Sequence, residues 1–365
     1  MKKTFILLFL LLASFLLFAN AAAEATASPE YRELDYTLNV GGETYQGTAL
    51  APASIPTEIS ALKAKGHVGS QEDAVSIFQL LGRKTDDLQE LSIRKEYTYH
   101  YQTDEGRISF SPSWMRYRAV EMDRYNLVYL LWGPKVDPDE PDTYTSADIG
   151  YNMAWKDIPM IQNTAFIDRI GEVYDVLNQW GIETGSPEIL AYWDAQTLSK
   201  EQEEWVELRG GEGYAFQEED AILEVYIPTY VNGIRLKGEP VGSADATVFD
   251  VPTAVIAYVT EESVLQISTN YSLFEEYQAD TTGVVLTAED ALKLYETCLN
   301  QLLVLPDGAA NIDSIQLEYD VWYRAQAGVF SPTFYFVPVW SIYTDASYPW
   351  PMIMFSAFDG SEVVW

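Results

Sequence analysis

The sequence predicts an α+β protein made of repeated units, each one helix packed on an antiparallel β-meander. Three observations carry this prediction. Segments with apolar residues at helical spacing open on hydroxyl caps at Ser70 and Thr287. Runs rich in β-branched and aromatic residues follow them, separated by Gly, Asn and Pro turns. The helix-then-strands pattern then recurs along the chain at a nearly constant offset.

The N-terminus reads as an export signal. Lys2 and Lys3 precede an apolar run over residues 5–18, and Ala19-Asn20-Ala21 supplies the small residues of a cleavage site. The expected signal peptide is 1–21, cut after Ala21 with Ala23 as the second choice; uncut, it would be an N-terminal anchor. The run is shorter than the roughly 20 residues of a membrane span. A lipid anchor needs a cysteine at the cleavage site, and the sole cysteine is Cys298, which also excludes an intramolecular disulfide. The expected location is extracytoplasmic, either secreted or tethered to the outer face of the cytoplasmic membrane.

Residues 22–33 read as a flexible leader. An N-terminal α+β domain is expected over 34–145. It opens on a hairpin in which Leu34, Tyr36, Leu38 and Val40 alternate with polar residues before Gly41-Gly42. Residues 49–66, with two prolines, read as a loop holding a short helix near 58–65. Ser70 caps a helix with Asp73 placed to bond back, and Ala74, Ile77, Phe78 and Leu81 form its apolar stripe. Strands are expected over 93–102, 107–120 and 126–132. Residues 133–145, with three prolines and four acidic residues, form the expected linker.

A C-terminal α+β domain with two helix-plus-sheet units is expected over 146–365. Its first helix runs from Asn163 or Thr164 to Trp180, with Phe166, Ile170, Val173, Tyr174 and Leu177 on one face. Strands follow over 189–194, 222–231, 253–259 and 264–271, with a hairpin turn at Asn232-Gly233. A third helix is expected over 287–303, then strands over 315–324, 333–343 and 352–358.

Ser70-Gln-Glu-Asp-Ala parallels Thr287-Ala-Glu-Asp-Ala, the strand from Ile93 parallels that from Ile315, and Phe110-Ser-Pro112 parallels Phe330-Ser-Pro332. The offsets are 217, 222 and 220 positions. A duplicated unit with small loop changes accounts for such near-constancy; the competing explanation is shared capping and strand grammar.

The segment carrying Thr287-Ala-Glu-Asp-Ala, the strand 315–323, Pro338-Val-Trp340 and Phe358-Asp-Gly-Ser-Glu-Val363 resembles the PepSY-like domains of exported bacterial proteins. The layout of the last 200 or so residues is also similar to the YycH and YycI regulators of Gram-positive bacteria. The resemblance implies an extracytoplasmic binding or regulatory protein without catalysis, and it admits a peptidase inhibitor or modulator.

Charge narrows the partners. The net charge of −33 repels nucleic acid and anionic membrane surfaces. No Gly-x-x-x-x-Gly-Lys loop or Gly-x-Gly-x-x-Gly turn is present, so no nucleotide and no cofactor is expected. The two histidines, His67 and His100, do not sit in a nucleophile motif, and Cys298 falls on or near the apolar stripe of the third helix. No catalytic residue and no metal ligand set is therefore assigned, and the binding residues stay open. Calcium takes oxygen ligands, but the acidic clusters Asp137, Asp139, Glu140, Asp142 and Glu218, Glu219, Asp220 lack the spacing of a calcium loop and read as solvated charge.

The expected function is an exported non-enzymatic binding or regulatory protein working through contacts with another extracytoplasmic or membrane protein. The alternative is a carbohydrate-binding or carbohydrate-active protein, since 25 Tyr, 10 Trp and 55 acidic residues supply stacking rings and carboxylates.

Overall fold

The computed structural model describes residues 30–91, 98–125, 164–237, 248–250, 253–270, 272–324, 332–345 and 352–363. The expected signal peptide, the strand at 126–132, the linker at 133–145 with its acidic cluster, and the repeat segment 93–97 lie outside the described residues.

The first third of the chain holds β1 (Tyr31–Val40), β2 (Glu43–Pro52), β3 (Glu58–Gly66), helix α1 (Gln71–Leu80), then β4 (Gln89–Glu90), β5 (Tyr99–Thr103), β6 (Gly106–Ser111) and β7 (Trp114–Ala119). The middle holds α2 (Thr164–Gln179), β8 (Glu183–Thr184), β9 (Glu188–Trp193), α3 (Ala195–Arg209), β10 (Ile222–Ile227), β11 (Thr229–Val231) and β12 (Ile234–Leu236). The last part holds β13 (Val248–Asp250), β14 (Ala254–Val259), β15 (Val264–Asn270), β16 (Phe274–Val284), α4 (Ala288–Leu299), β17 (Ile312–Arg324), β18 (Thr333–Thr344) and β19 (Met352–Ser356). The expected α+β class holds.

Two sheets organise these strands. The first runs β16-β3-β18-β17-β12-β11-β8, with β19, β13 and the β1–β2 hairpin attached. The second runs β4-β5-β6-β7-β15-β14-β10-β9. Strand pairing crosses the expected division at residue 145. β3, from the first expected domain, is hydrogen-bonded to both β16 and β18, and β7 pairs with β15. α1 and α4 are each followed in the chain by an antiparallel meander, one in each sheet.

Each sheet buries one face under helices. On the first, Ala291, Leu292 and Tyr295 of α4 pack with Leu34 to Val40 of β1 and with Ile315, Tyr319, Phe336 and Trp340. Burying each large aromatic side chain here contributes about 2–3 kcal/mol. On the second sheet, Ala74, Ile77 and Phe78 of α1 and Phe166, Val173 and Leu177 of α2 pack on Ile108, Phe110, Tyr117, Val225 and Ile267. A smaller third cluster joins Leu198 of α3 to Met122, Tyr125, Phe216 and Tyr258.

Local chemistry explains several elements. The Ser70 side chain accepts the Asp73 amide while Asp73 bonds back, the capping box expected there. Gly41, Gly42, Asn232 and Gly233 all take positive φ, as two-residue hairpin turns require.

Other expectations are corrected. Residues 58–66 are strand β3, not a helix: Ile59, Leu62, Ala64 and Gly66 are buried, and pairing on both edges overrides the helix formers around them. The run 107–120 divides at Pro112-Ser113 into β6 and β7. The run 222–231 divides at Pro228, which has no N–H to donate to a ladder, and the chain leaves the second sheet for the first there. α4 ends at Leu299, short of the expected 303. Helix α3 and strand β16 were not expected. Leu198 and Gln202 are the buried residues among the described side chains of α3, and β16 is exposed along almost its whole length, so it carries no clear apolar period.

Candidate functional site

The chain passes between the sheets at several places, and four of these crossings meet. They are the end of α2 into β8, β10 into β11, β3 into α1, and β15 into β16. Helix α2 ends on Trp180, whose N–H bonds Leu177 O, and on Gly181 at φ +64, which turns the chain into β8. β8 then pairs with β11, placing Glu183 opposite Tyr230.

A cavity of about 150 Å³ lies at this junction, walled by Trp180, Glu183, Thr229, Tyr230, Phe274 and Tyr277 among others. Its aromatic walls are braced from behind. Trp180 stacks on Phe110 with centroids 5.4 Å apart. Phe274 meets Phe334 and Phe336 edge-on at 5.1 and 4.8 Å. The Glu183 carboxylate accepts the Gly233 amide at 3.1 Å, which ties the β11–β12 turn to the wall. Desolvation, and then the negative charge of Glu183, raise the proton affinity of Tyr277, so its hydroxyl remains a donor at neutral pH.

Two wall residues carry polar atoms that are buried and lack a hydrogen-bond partner: Thr229 Oγ1 and Trp180 Nε1. Thr229 is only 1% exposed. A buried polar atom left unpaired costs about 1–3 kcal/mol.

His67 borders this junction. Its Nδ1 lies 2.9 Å from Glu275 Oε2, its ring meets Trp180 edge-on at 5.1 Å, and its backbone N–H donates to Leu273 O at 3.0 Å. The contacts place it as a brace between β3 and the approach to β16. His100 lies on the second sheet, with Nδ1 2.7 Å from Ser109 Oγ. Among the described residues no carboxylate is hydrogen-bonded to its other nitrogen, so a serine triad is not assembled there. Cys298 is half-buried beside the first core, and burial, followed by the charge of Glu362, pushes its thiol up. That is opposite to what a nucleophilic thiol needs.

Of the acidic cluster at 218–220, Asp220 is buried and structural. It accepts Arg124 Nη1 at 3.2 Å and the Gln217 amide at 2.9 Å. Glu218 and Glu219 are exposed. Among the described residues no three His, Cys, Asp or Glu side chains are grouped to hold a metal ion.

A second gathering of charge, unforeseen in the sequence, lies on β12 and β17. Lys237 and Asp320 pair at 2.5 Å with neither exposed. Arg235 Nε lies 3.7 Å from Glu318, which also accepts the Tyr343 hydroxyl at 2.9 Å. The parallel register sets Arg235 against Glu318, so these pairs fasten β12 to β17. The unpartnered wall atoms were equally invisible in the sequence, because Thr229 and Trp180 meet only through the crossings.

No family model matches this chain, and no curated protein matches it. Among solved structures, the crystal structure of an uncharacterized protein from Eubacterium rectale ATCC 33656 superimposes with a TM-score of 0.61 at 12% identity, covering 95% of this chain and 99% of that one. That likeness is one of fold. The Bacillus megaterium YpeB C-terminal domain aligns with a TM-score of 0.34 at 10% identity, covering 81% of this chain and 96% of that one. No helix among the described residues is long and apolar enough to cross a membrane.

Proposed function

We propose that the chain is an exported, non-enzymatic binding or regulatory protein that holds an extracytoplasmic or membrane-protein partner at the junction of its two sheets. The observation that carries this reading is a cavity braced by packed aromatics, two of whose wall residues, Thr229 and Trp180, hold buried polar atoms without a partner. A rigid wall with unfilled hydrogen-bonding capacity suits binding, because little ordering cost remains when a group enters.

The test is photo-crosslinking in the native cell envelope. A photoreactive residue at Tyr277, which is 43% exposed on the cavity wall, is compared with one at Tyr99, 48% exposed on the second sheet. Capture of one discrete protein from position 277 and none from position 99 is expected. Equal capture from both positions overturns the reading.

Carbohydrate binding is the second reading, favoured by the same wall: rings for a sugar face, with Thr229, Asn232 and Glu183 for its hydroxyls. The wall supplies one carboxylate, whereas hydrolysis of a glycoside needs two. A thermal-shift screen with cell-wall and dietary glycans decides it. A saturable rise that is lost in Thr229→Val supports the sugar reading, and no shift with any glycan removes it.

A further inference from the structure

The face of the second sheet opposite α1 and α2, which the third cluster with α3 covers only around Ile222 and Tyr258, carries an arrangement unrelated to the cavity. Strand register builds two cross-strand rows on it. One runs Gln102, Arg107, Arg118, Gln266, Tyr258, Glu224 across six paired strands. The other runs His100, Ser109, Arg116, Ser268, Ile256, Tyr226. Arg107 and Arg118 are therefore directly opposite each other, with Cβ atoms about 5 Å apart, and Arg116 stands two residues along the strand from Arg118 on the same face. Three arginines thus occupy neighbouring positions on one face of β6 and β7.

Like charges directly opposite on a sheet are destabilising. The chain has 55 acidic residues against 22 basic ones, so carboxylates were available to neutralise them. The facing positions instead carry amides and hydroxyls: Gln102 beside Arg107, Gln266 beside Arg118, and Ser109 and Ser268 beside Arg116. Arg118 is neutralised from the following 3-10 turn by Asp123, at 2.9 Å. Among the described residues Arg107 and Arg116 have no ion pair, and Arg116 lies over the Trp114 ring, 5.8 Å from its centroid. Desolvation first, and then the charges of Arg118 and Arg107, lower the proton affinity of Arg116. Both Arg107 and Arg116 are exposed.

We propose that Arg107, Arg116 and Arg118 form a binding site for a compact dianionic oxyanion of the phosphoryl class. Two positive charges are left over, and a phosphoryl dianion supplies two negative charges and three acceptor oxygens for guanidinium forks. A single carboxylate balances only half of that. A long polyanion is disfavoured because the remaining surface of a chain at −33 repels it.

The test uses the full chain at fixed ionic strength, titrated with inorganic phosphate, glycerol phosphate and acetate, and followed by calorimetry and thermal midpoint. The expected result is saturable phosphate binding, weakened about tenfold in each of Arg107→Gln and Arg116→Gln. Acetate should show no saturable binding. Equal affinity for glycerol phosphate means that the site reads the phosphoryl group whatever carries it; weaker binding of glycerol phosphate means that free phosphate is the ligand. Without ligand, Arg116→Gln should melt higher than the parent by about 1 °C, because a repulsion is removed. A parent that responds to phosphate and acetate alike, or a double variant that keeps the phosphate response, overturns the proposal. So does an Arg116→Gln variant that folds normally but melts lower without ligand.

Discussion

At the residue scale the clearest commitments concern buried charge. Lys237 and Asp320 are wholly buried as a pair. Lys237→Met alone strands the carboxylate and should cost about 3–5 kcal/mol, while Lys237→Met with Asp320→Leu should be near neutral. Denaturant unfolding of the three proteins checks this; a single variant as stable as the parent would show that the pair is already hydrated. Glu224 offers a pH test. Burial raises its proton affinity, against a smaller opposing effect from the Tyr258 hydroxyl that donates to it at 2.9 Å. The folded state therefore holds this proton to higher pH than the unfolded state, whose value is 4.5, and stability falls as pH rises through that window. Glu224→Gln should raise the melting midpoint at pH 7, and the gain should vanish below 4.5. An equal gain at both pH values would place its origin in packing, not charge. Residues of this kind were not legible in the sequence. His67 could be singled out for its type, but nothing in its neighbourhood shows that it would brace Trp180, and Thr229 has no local mark at all.

At the element scale, what the sequence showed well were caps, turns and strongly periodic helices. α1, α2 and α4 each bury the apolar stripe that spacing predicts. Elements set by distant partners were missed. β3 reads locally as helix and becomes a strand because β16 and β18 both claim it. Two substitutions test the local account. Ser70→Ala removes a capping side chain and should cost about 1 kcal/mol in an unfolding titration; no loss would mean that packing alone sets where α1 starts. Gly66→Ala is expected to be more damaging. An added Cβ would sit 2.8 Å from Ser113 N, and backbone in the β6–β7 turn of the other sheet cannot step aside as a flexible side chain can. A Gly66→Ala protein with unchanged unfolding midpoint would contradict that close approach.

At the scale of the whole molecule, the chain weaves its two sheets together. Early strands meet late ones: β3 pairs with β18, β2 bridges β17, and the Tyr36 hydroxyl of β1 donates to Ala310 O at 3.1 Å while accepting the Ile312 amide at 2.9 Å. A reading along the sequence assigns domains by neighbourhood in the chain, and a return of this kind leaves no local trace for it to follow. The junction cavity exists because the crossings converge, so a rigid site requires both sheets to be held as one body. Scanning calorimetry of the full chain tests this most directly. The account predicts one cooperative transition with equal calorimetric and van't Hoff enthalpies. Two separable transitions, with one sheet melting while the other stays folded, would contradict it.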